Sequence, residues 1–592
     1  MNKLKYIAVL AFLGTVGISE MGAQIKEEKL ILDKKREPEI RKIEKKKTSV
    51  ATVKNYPPKE KKVQDSLNLK YNITDVPAVS DFKTSTIQGS DISPKFDNTY
   101  QDNYVRFGMG NFGRILADAN ISTVLESKME VGADVHFNST NGLKKLYDWK
   151  SKQTSADLGV FLNSYGEQGK FNINAEYSLN DYNYYGIYAF TPDSDIDINQ
   201  KTNEIKINGY YDFYSNEILN DVRVKASFLS DVFDASENKA SAVLNLSKHA
   251  VDITDDIVLN GDLGLGIETQ STAFDILNKN SSSFFNGNIA PKITFFKGES
   301  YLMIGSDFTF NSSKNNNSAM TEEEKTNKMY WFPRAELQIA AADEFKFYAG
   351  VDGGLKLNSY GEMLQENPYL VSDLILKPTE TKYRFYIGLR GDIEQNLKYD
   401  FSAGFGKADN IMFYRGNGLF DDTLPFTSVR PGYDFANTFS AVYDNGSISE
   451  VKGSLQFFPL ENLVLDGELN FTKYDVDNYE HIYNRPLLKA NIGAKYTMLD
   501  KKLLLGFDGF FVSDRTTNAY SVSATMPFYL LEEKTDEKVG GYADINLSAE
   551  YKIHKNFSIF ALGNNLLNSN YQTFNGYKVL GAQILGGVKI TF

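Results

Sequence analysis

Ile584-Leu585-Gly586-Gly587-Val588-Lys589-Ile590-Thr591-Phe592 alternates without a break: Phe592, Ile590, Val588, Gly586 and Ile584 share one face, while Thr591, Lys589, Gly587 and Leu585 share the other. Consecutive side chains of a strand point to opposite sides. A strand that is apolar on one face, mixed on the other and aromatic at its end suits a membrane β-barrel, with lipid outside and water inside.

The same period recurs upstream. Met129, Val131, Ala133, Val135 and Phe137 interleave with Glu130, Gly132, Asp134, His136 and Asn138, and Phe171 to Asn180, Leu463 to Thr472 and Ala543 to Tyr551 repeat the pattern. Period two continues over some 490 residues from about Asn103, with no competing helical stretch.

The connections give the architecture. Tight polar turns fall at Glu126-Ser127, Glu167-Gln168, Asn216 to Asp221, Asp252 to Asp256, Gly298-Glu299, Asp343-Glu344, Gln395-Asn396, Leu460 to Asn462, Asp500-Lys501 and Lys555-Asn556. These ten turns divide the body into eleven hairpins, hence about 22 strands. Between them lie longer polar loops: 140–154, 181–202, 311–328, 359–381, 409–446, 474–484, 513–540 and 567–581. Short connections at one end and long ones at the other define an outer-membrane barrel, turns to the periplasm and loops to the exterior. A propeller would need a recurring four-strand signature, and none is seen. The fold class expected is all-β, a transmembrane antiparallel barrel of about 22 strands over 103–592, preceded by a mostly disordered arm.

Met1 to Ala23 reads as a secretory signal: Lys3 and Lys5, an apolar run from Tyr6 to Ile18, and small residues at Met21-Gly22-Ala23. After it no window approaches the ~18 apolar residues of a membrane helix. The chain has no Cys, so no disulfide or thiolate metal site exists. With 36 Tyr, 41 Phe and 44 Gly and a mean hydropathy below zero, the composition suits strands apolar on one side only. The formal charge of −12 is uneven: residues 24–70 hold fifteen Lys or Arg against eight Asp or Glu, about +7, which leaves the rest near −19. Nucleic acid is disfavoured as a partner of the body. Residues 24–102, with Lys34-Lys35-Arg36, Lys45-Lys46-Lys47 and Pro57-Pro58, read as a charged periplasmic arm. The stretch from Gln24 to Lys70 and the outer loops are the candidate contacts for an envelope protein partner. Outer-membrane lipids and the barrel-assembly machinery are partners implied by the architecture.

Ala561-Leu562-Gly563-Asn564-Asn565-Leu566-Leu567-Asn568-Ser569-Asn570-Tyr571 resembles the Asn-Leu-x-Asn-x-x-Tyr pattern near the end of TonB-dependent receptors of the Bacteroidota type, followed by a glycine-containing loop and a final strand ending in Phe. With the strand count, the resemblance spans roughly 100–592. It implies a 22-stranded outer-membrane barrel of a Gram-negative bacterium that imports a bulky, scarce ligand. The chain departs from that family where a plug domain is expected: residues 24–102 offer no recognisable plug, and Thr48 to Val53 has no TonB-box signature. A barrel this wide has to be blocked, by inward loops, by part of Tyr71 to Asp102 or by a partner.

Chemistry-bearing motifs are sparse. The four His, at 136, 249, 481 and 554, form no metal-spaced pair, and no Gly-x-Ser-x-Gly elbow occurs. No catalytic, cofactor or metal residues are assigned, and no enzyme activity is expected. Asp193, Asp195, Asp197 and Glu204 fall at positions 1, 3, 5 and 12 of a calcium-loop frame, but Ile198 stands where Gly is needed and Lys201 repels a cation; a hydrated outer loop is the better reading. The loop 409–446 differs in being rich in aromatics and Arg, the residue types that anchor binding surfaces. Its candidate gate or binding residues are Phe413, Tyr414, Arg415, Phe420, Phe426, Arg430 and Tyr433. Two roles fit them: contact with a ligand, or folding back over the barrel's own mouth. The function expected is transport of a bulky solute; the alternative is a non-conducting accessory barrel in an envelope secretion or outer-membrane protein assembly complex.

Overall fold

The computed structural model describes residues 103–592 except 126–127, 144–149, 188–195, 215, 319–323, 422–429 and 526–527. Twenty-two strands form one antiparallel sheet, each pairing with its sequence neighbours in the barrel. The sheet closes where the first strand, Tyr104–Gly110, pairs with the last, Gln583–Thr591, from Tyr104↔Thr591 to Gly110↔Leu585. Closure removes the two free edges that an open sheet would present. Inside this seam Leu116, Phe560 and Leu585 form a small apolar core. Arg106 lies 5.0 Å over the Phe560 ring and is 2.8 Å from Asp118.

The alternation read from the sequence sorts side chains onto the two faces. Ile584, Val588, Ile590 and Phe592 are exposed, whereas Leu585 and Thr591 are buried. Val135, Leu158, Ile205, Ile267, Ile304, Trp331, Ile387 and Ile492 repeat the exposed apolar face strand after strand. An apolar surface this continuous is solvated by lipid, not water. Among the described residues no helix is long and apolar enough to span a membrane; the strands do so.

The inner face is polar and cross-linked from strand to strand. Arg384 reaches Asp352 at 2.9 Å and Glu450 at 2.6 Å. Arg390 donates to Gln338 at 2.7 Å and Glu336 at 3.1 Å, and Tyr386 donates to Glu336 at 2.6 Å. Tyr348 donates to Asp400 at 2.5 Å, its ring packed where a Cβ at Gly388 would stand. Facing opposite charges and hydroxyls across the pleat stabilises each strand pair and leaves the lumen wettable.

The ten short connections fall at the end where Asn103 and Phe592 lie, joined by a Phe592 N–H to Asn103 O bond of 3.0 Å. The other end carries the long ones, together with the short links 111–114 and 232–235. The span 409–446 is shorter as a loop than expected, because the flanking strands Leu397–Gly416 and Phe439–Leu460 continue to Gly416↔Phe439. A bulge around Asn410, which has φ of 54°, lets this ladder continue past a polar interruption. The span 513–540 is a hairpin, Arg515–Thr525 with Phe528–Val539, that stands outside the barrel sheet. Loop 359–381 holds a short helix, Tyr360–Glu366, where only irregular chain is expected.

Candidate functional site

The long loops meet over the mouth of the lumen. Residues of 184–198, 274–280, 357–378, 417–438 and 565–582 contribute to one buried core that includes Tyr185, Phe274, Leu370, Phe435, Phe574 and Tyr577. The Tyr369 and Tyr577 rings stack with centroids 3.3 Å apart.

Segment 357–378 is the strap of this lid. Its helix starts at Ser359, whose Oγ accepts from the Glu362 N–H at 3.3 Å, the capping arrangement expected of Ser-x-x-Glu. Glu237, on the wall strand Ser236–Thr254, completes the cap. One oxygen accepts from Ser359 Oγ at 2.7 Å and Gly361 N at 3.0 Å. The other accepts from Tyr360 N at 2.7 Å and Thr272 Oγ1 at 2.9 Å. A carboxylate at a helix N-terminus meets aligned N–H donors there. Glu237 is 1% exposed, so these four donors replace its water.

Asp231, also in the wall, accepts from Tyr360 Oη at 2.8 Å, Ser372 Oγ at 2.5 Å and Gln200 Nε2 at 3.1 Å. Tyr184 donates to the Leu370 carbonyl at 2.8 Å. Burial pushes the phenols of Tyr184 and Tyr360 well above their ordinary value, with Asp231 adding to the rise, so both remain O–H donors. Asp373 of the strap accepts from Asn278 N at 2.6 Å and Asn280 N at 3.1 Å. Across the mouth the strap meets the strand Phe439–Leu460 through a Leu370↔Phe439 bridge, with Val371 N to Phe439 O at 2.9 Å. Glu366 accepts from Tyr414 Oη at 2.7 Å and is 3.2 Å from Arg485.

Almost half of the Glu366 side chain stays open to solvent, 48%. Desolvation in its dense surroundings would raise its carboxyl, yet Arg485, Tyr414, Lys489 and Lys356 outweigh that and hold it below its ordinary value.

The candidate residues of the aromatic loop do not form one cluster. Tyr414 points into the lid core, 6.2 Å from the Phe574 ring. Phe413 points to the opposite side of its strand, edge-on to Tyr479 at 5.2 Å, and Arg415 pairs with Glu533 of the hairpin at 2.5 Å. Phe420 and Tyr433 meet edge to face at 6.2 Å. Arg430 is buried and donates to Asp434 at 2.9 Å and to the Asp421 carbonyl at 2.6 Å. Phe426 lies outside the described residues. Those described are built into the lid and its supports.

Asp193 and Asp195 also lie outside the described residues. Asp197 accepts from Asn199 N at 3.0 Å, Ile198 is buried in the lid core, and Glu204 pairs with Lys206 at 2.9 Å. Among the described residues no group of three His, Asp or Glu is placed to hold a metal. His136 sits in the wall with Nδ1 2.5 Å from Asp118.

Sequence reasoning passed over Asp231, Glu237 and the strap they hold. Ser359-Tyr360-Gly361-Glu362 is a helix-start signature that was available within loop 359–381. Nothing local to Asp231 or Glu237 distinguishes them from other inward carboxylates.

Fold and site together define a class: a closed 22-strand membrane barrel with a polar lumen, its loop-side mouth covered by its own loops. Among solved structures the chain is similar to the siderophore receptor PiuA of Acinetobacter baumannii, with a TM-score of 0.58 at 9% identity, covering 83% of this chain and 82% of that one. The ferric-catecholate import receptor Fiu of Escherichia coli K12 gives 0.58 at 12% identity, covering 83% and 81%. The copper transporter OprC gives 0.53 at 12%, covering 83% and 80%. At these identities the likeness is one of fold. No protein-family model matches the chain, and no curated protein does.

Proposed function

We propose that this chain is an outer-membrane transport barrel of the TonB-dependent receptor type, in a Gram-negative bacterium of the Bacteroidota kind, and that it moves a bulky solute through a lumen gated by segment 357–378. The observation that carries this reading is a polar lumen beneath a strap pinned by two wall carboxylates, Asp231 and Glu237. A barrel serving only as scaffold needs no water-lined interior and no hydrogen-bonded cover. The terminal sequence pattern and the likeness in fold to receptors for iron chelates and a copper transporter support the same reading.

The test is permeability. Proteoliposomes holding the intact protein should swell slowly in neutral oligosaccharides, while a variant with 358–376 replaced by a short Gly-Ser turn should admit them readily. Equal, slow swelling of both would refute a gated lumen. One observation favours the accessory-barrel reading: the hairpin 515–539 lies outside the barrel sheet, its two strands pairing with each other while one side rests on Arg415 and Gly416. That reading requires a stoichiometric envelope partner that co-purifies with the intact chain and is lost when the hairpin is removed.

A further inference from the structure

The hairpin Arg515–Thr525 with Phe528–Val539 belongs to no other sheet, yet its root is bonded into the lid at several places. Its ladder shifts register between Thr517↔Glu537 and Ala519↔Lys534, which leaves Asn518 without a direct partner across the hairpin. A bulge of this kind re-aims a side chain. Asn518 turns to the end of the wall strand Leu397–Gly416, where its Oδ1 accepts from Gly416 N at 2.7 Å and its Nδ2 donates to Gly416 O at 2.8 Å. The amide takes the place of a neighbouring strand. A Cβ at Gly416 would stand 3.3 Å from Asn518 Oδ1, so glycine suits the close approach. Asn484 N donates to Thr516 O at 2.8 Å. Arg515, 5% exposed, gives Nη2 to the carbonyls of Gln572, at 2.9 Å, and Thr573, and its guanidinium lies 5.5 Å over the Tyr542 ring.

Each attachment leads to the strap in one further step. Asn484 Nδ2 donates to Tyr414 O at 2.8 Å, and Tyr414, next to Arg415, holds Glu366. Thr573 precedes Phe574, whose ring meets those of Tyr369, Tyr414 and Phe439 at 6.3, 6.2 and 5.2 Å. Glu366 and Tyr369 belong to the apex of the strap, between Tyr360 and Ser372, which Asp231 holds. The wall therefore fixes the two legs of the strap, and the hairpin braces the groups that fix its apex. Arg515 makes the brace releasable. Buried without a carboxylate partner among the described residues, its charge has exchanged water for carbonyls, and it regains hydration when the contact opens. The outer strand is exposed from Glu532 to Lys538, so docking rests on the root and on the Glu533 bond to Arg415.

We infer that docking of hairpin 515–539 and closure of the strap are one coupled equilibrium: seated on Gly416, Gln572 and Thr573, the hairpin holds the apex 364–370 down, and its release lets the apex rise. The inference takes the strap to be a mobile cover, as the transport reading does. Two separate chains of contacts join the same two elements, and coupling between them acts in both directions.

The test is amide hydrogen exchange on the full-length protein in detergent. Asn518→Ala removes both Gly416 bonds and should accelerate the peptide 364–370 roughly tenfold. Arg515→Gln should accelerate the same peptide, whereas Glu537→Gln, on the exposed part of the hairpin, should leave it at the wild-type rate. Unchanged heat-modifiable migration shows that the variant barrels are folded. In the other direction, the variant with 358–376 replaced by a Gly-Ser turn should exchange faster at 515–519. Wild-type exchange at 364–370 in both Asn518→Ala and Arg515→Gln would overturn the coupling. Fast swelling of the strapless variant with wild-type exchange at 515–519 would overturn it too, and would leave the gate standing. Slow swelling with faster exchange at 515–519 would support the coupling and remove the gate.

Discussion

Replacing Glu237 by Ala should release the strap. Its carboxylate takes four hydrogen bonds, three from Ser359, Tyr360 and Gly361 and one from Thr272. Bonds to a charged acceptor are worth about 1.5–3 kcal/mol each, and are not additive. Removing one side of a buried charged set while the other side stays buried costs about 3–5 kcal/mol. Because Thr272 lies in the wall, most of that falls on the strap. At 1.4 kcal/mol per tenfold, strap opening becomes more frequent by a factor of roughly a hundred to a few thousand. Amide hydrogen exchange of the peptide covering 359–363 should accelerate by that factor, until it reaches the rate of open chain. The strand Asn199–Phe213 should exchange as before. Glu237→Gln should fall between the two, since its amide keeps one acceptor and turns an N–H toward existing donors. Exchange at 359–363 that is no faster in the Ala variant would refute the assignment of this carboxylate as the strap's anchor.

The other outcomes follow from single contacts. Glu366 has a depressed carboxyl, so its contribution to the strap is complete above its ordinary value of 4.5 and is lost as pH falls below that toward the folded value. Exchange at 360–367 should accelerate below about pH 4.5 beyond the intrinsic pH effect, and Glu366→Gln should abolish that dependence. Gly388→Val places a side chain where the Tyr348 ring lies and displaces its bond to Asp400; overpacking of about 1–3 kcal/mol should lower the temperature of the heat-modifiable band shift by several degrees. Ile492→Arg places a charge on the lipid face at a cost of up to about 2–4 kcal/mol, whereas the adjacent Asn491→Arg points into the lumen. The first should reduce the assembled fraction in membranes and the second should not.

The barrel was legible because it rests on a local rule repeated many times. A residue's face follows from its parity within the strand, and the sign of that parity is set by lipid against water, so Val588 and Lys589 declare their sides without any knowledge of their neighbours. The ten short turns were legible for the same reason: two to six mostly polar residues between apolar alternations leave the chain no other course. Where polarity ran on without a break, the strand ends were misjudged. Asp409 to Gly416 looks like loop because Asn410 interrupts the period, yet the bulge there absorbs the interruption and the ladder to Phe439–Leu460 continues.

The lid follows another logic. Asp231 and Tyr360 are 129 positions apart and Tyr577 and Asn437 are 140 apart, joined only because the cylinder brings distant loops to one rim. The aromatics of loop 409–446 fit two roles, a surface for a ligand or a fold over the barrel's own mouth, because aromatics are also what loops need to cover a wide opening. Tyr414 and Phe435 serve that second role, buried against Phe574 and Leu370. What distinguishes a gate from a permanent seal is how its polar anchors are placed. The strap presents its helix N-terminus to Glu237 and its Tyr360 hydroxyl to Asp231, both on the wall, beside the Lys239–Glu362 pair, the Gln270–Asn358 bond and the Tyr184–Leu370 bond, so two carboxylates take the largest share of its polar contacts on that side of the mouth. Under the proposed transport function, a ligand offering donors of its own to Asp231 and Glu237 would compete with the strap for these anchors and shift it toward opening.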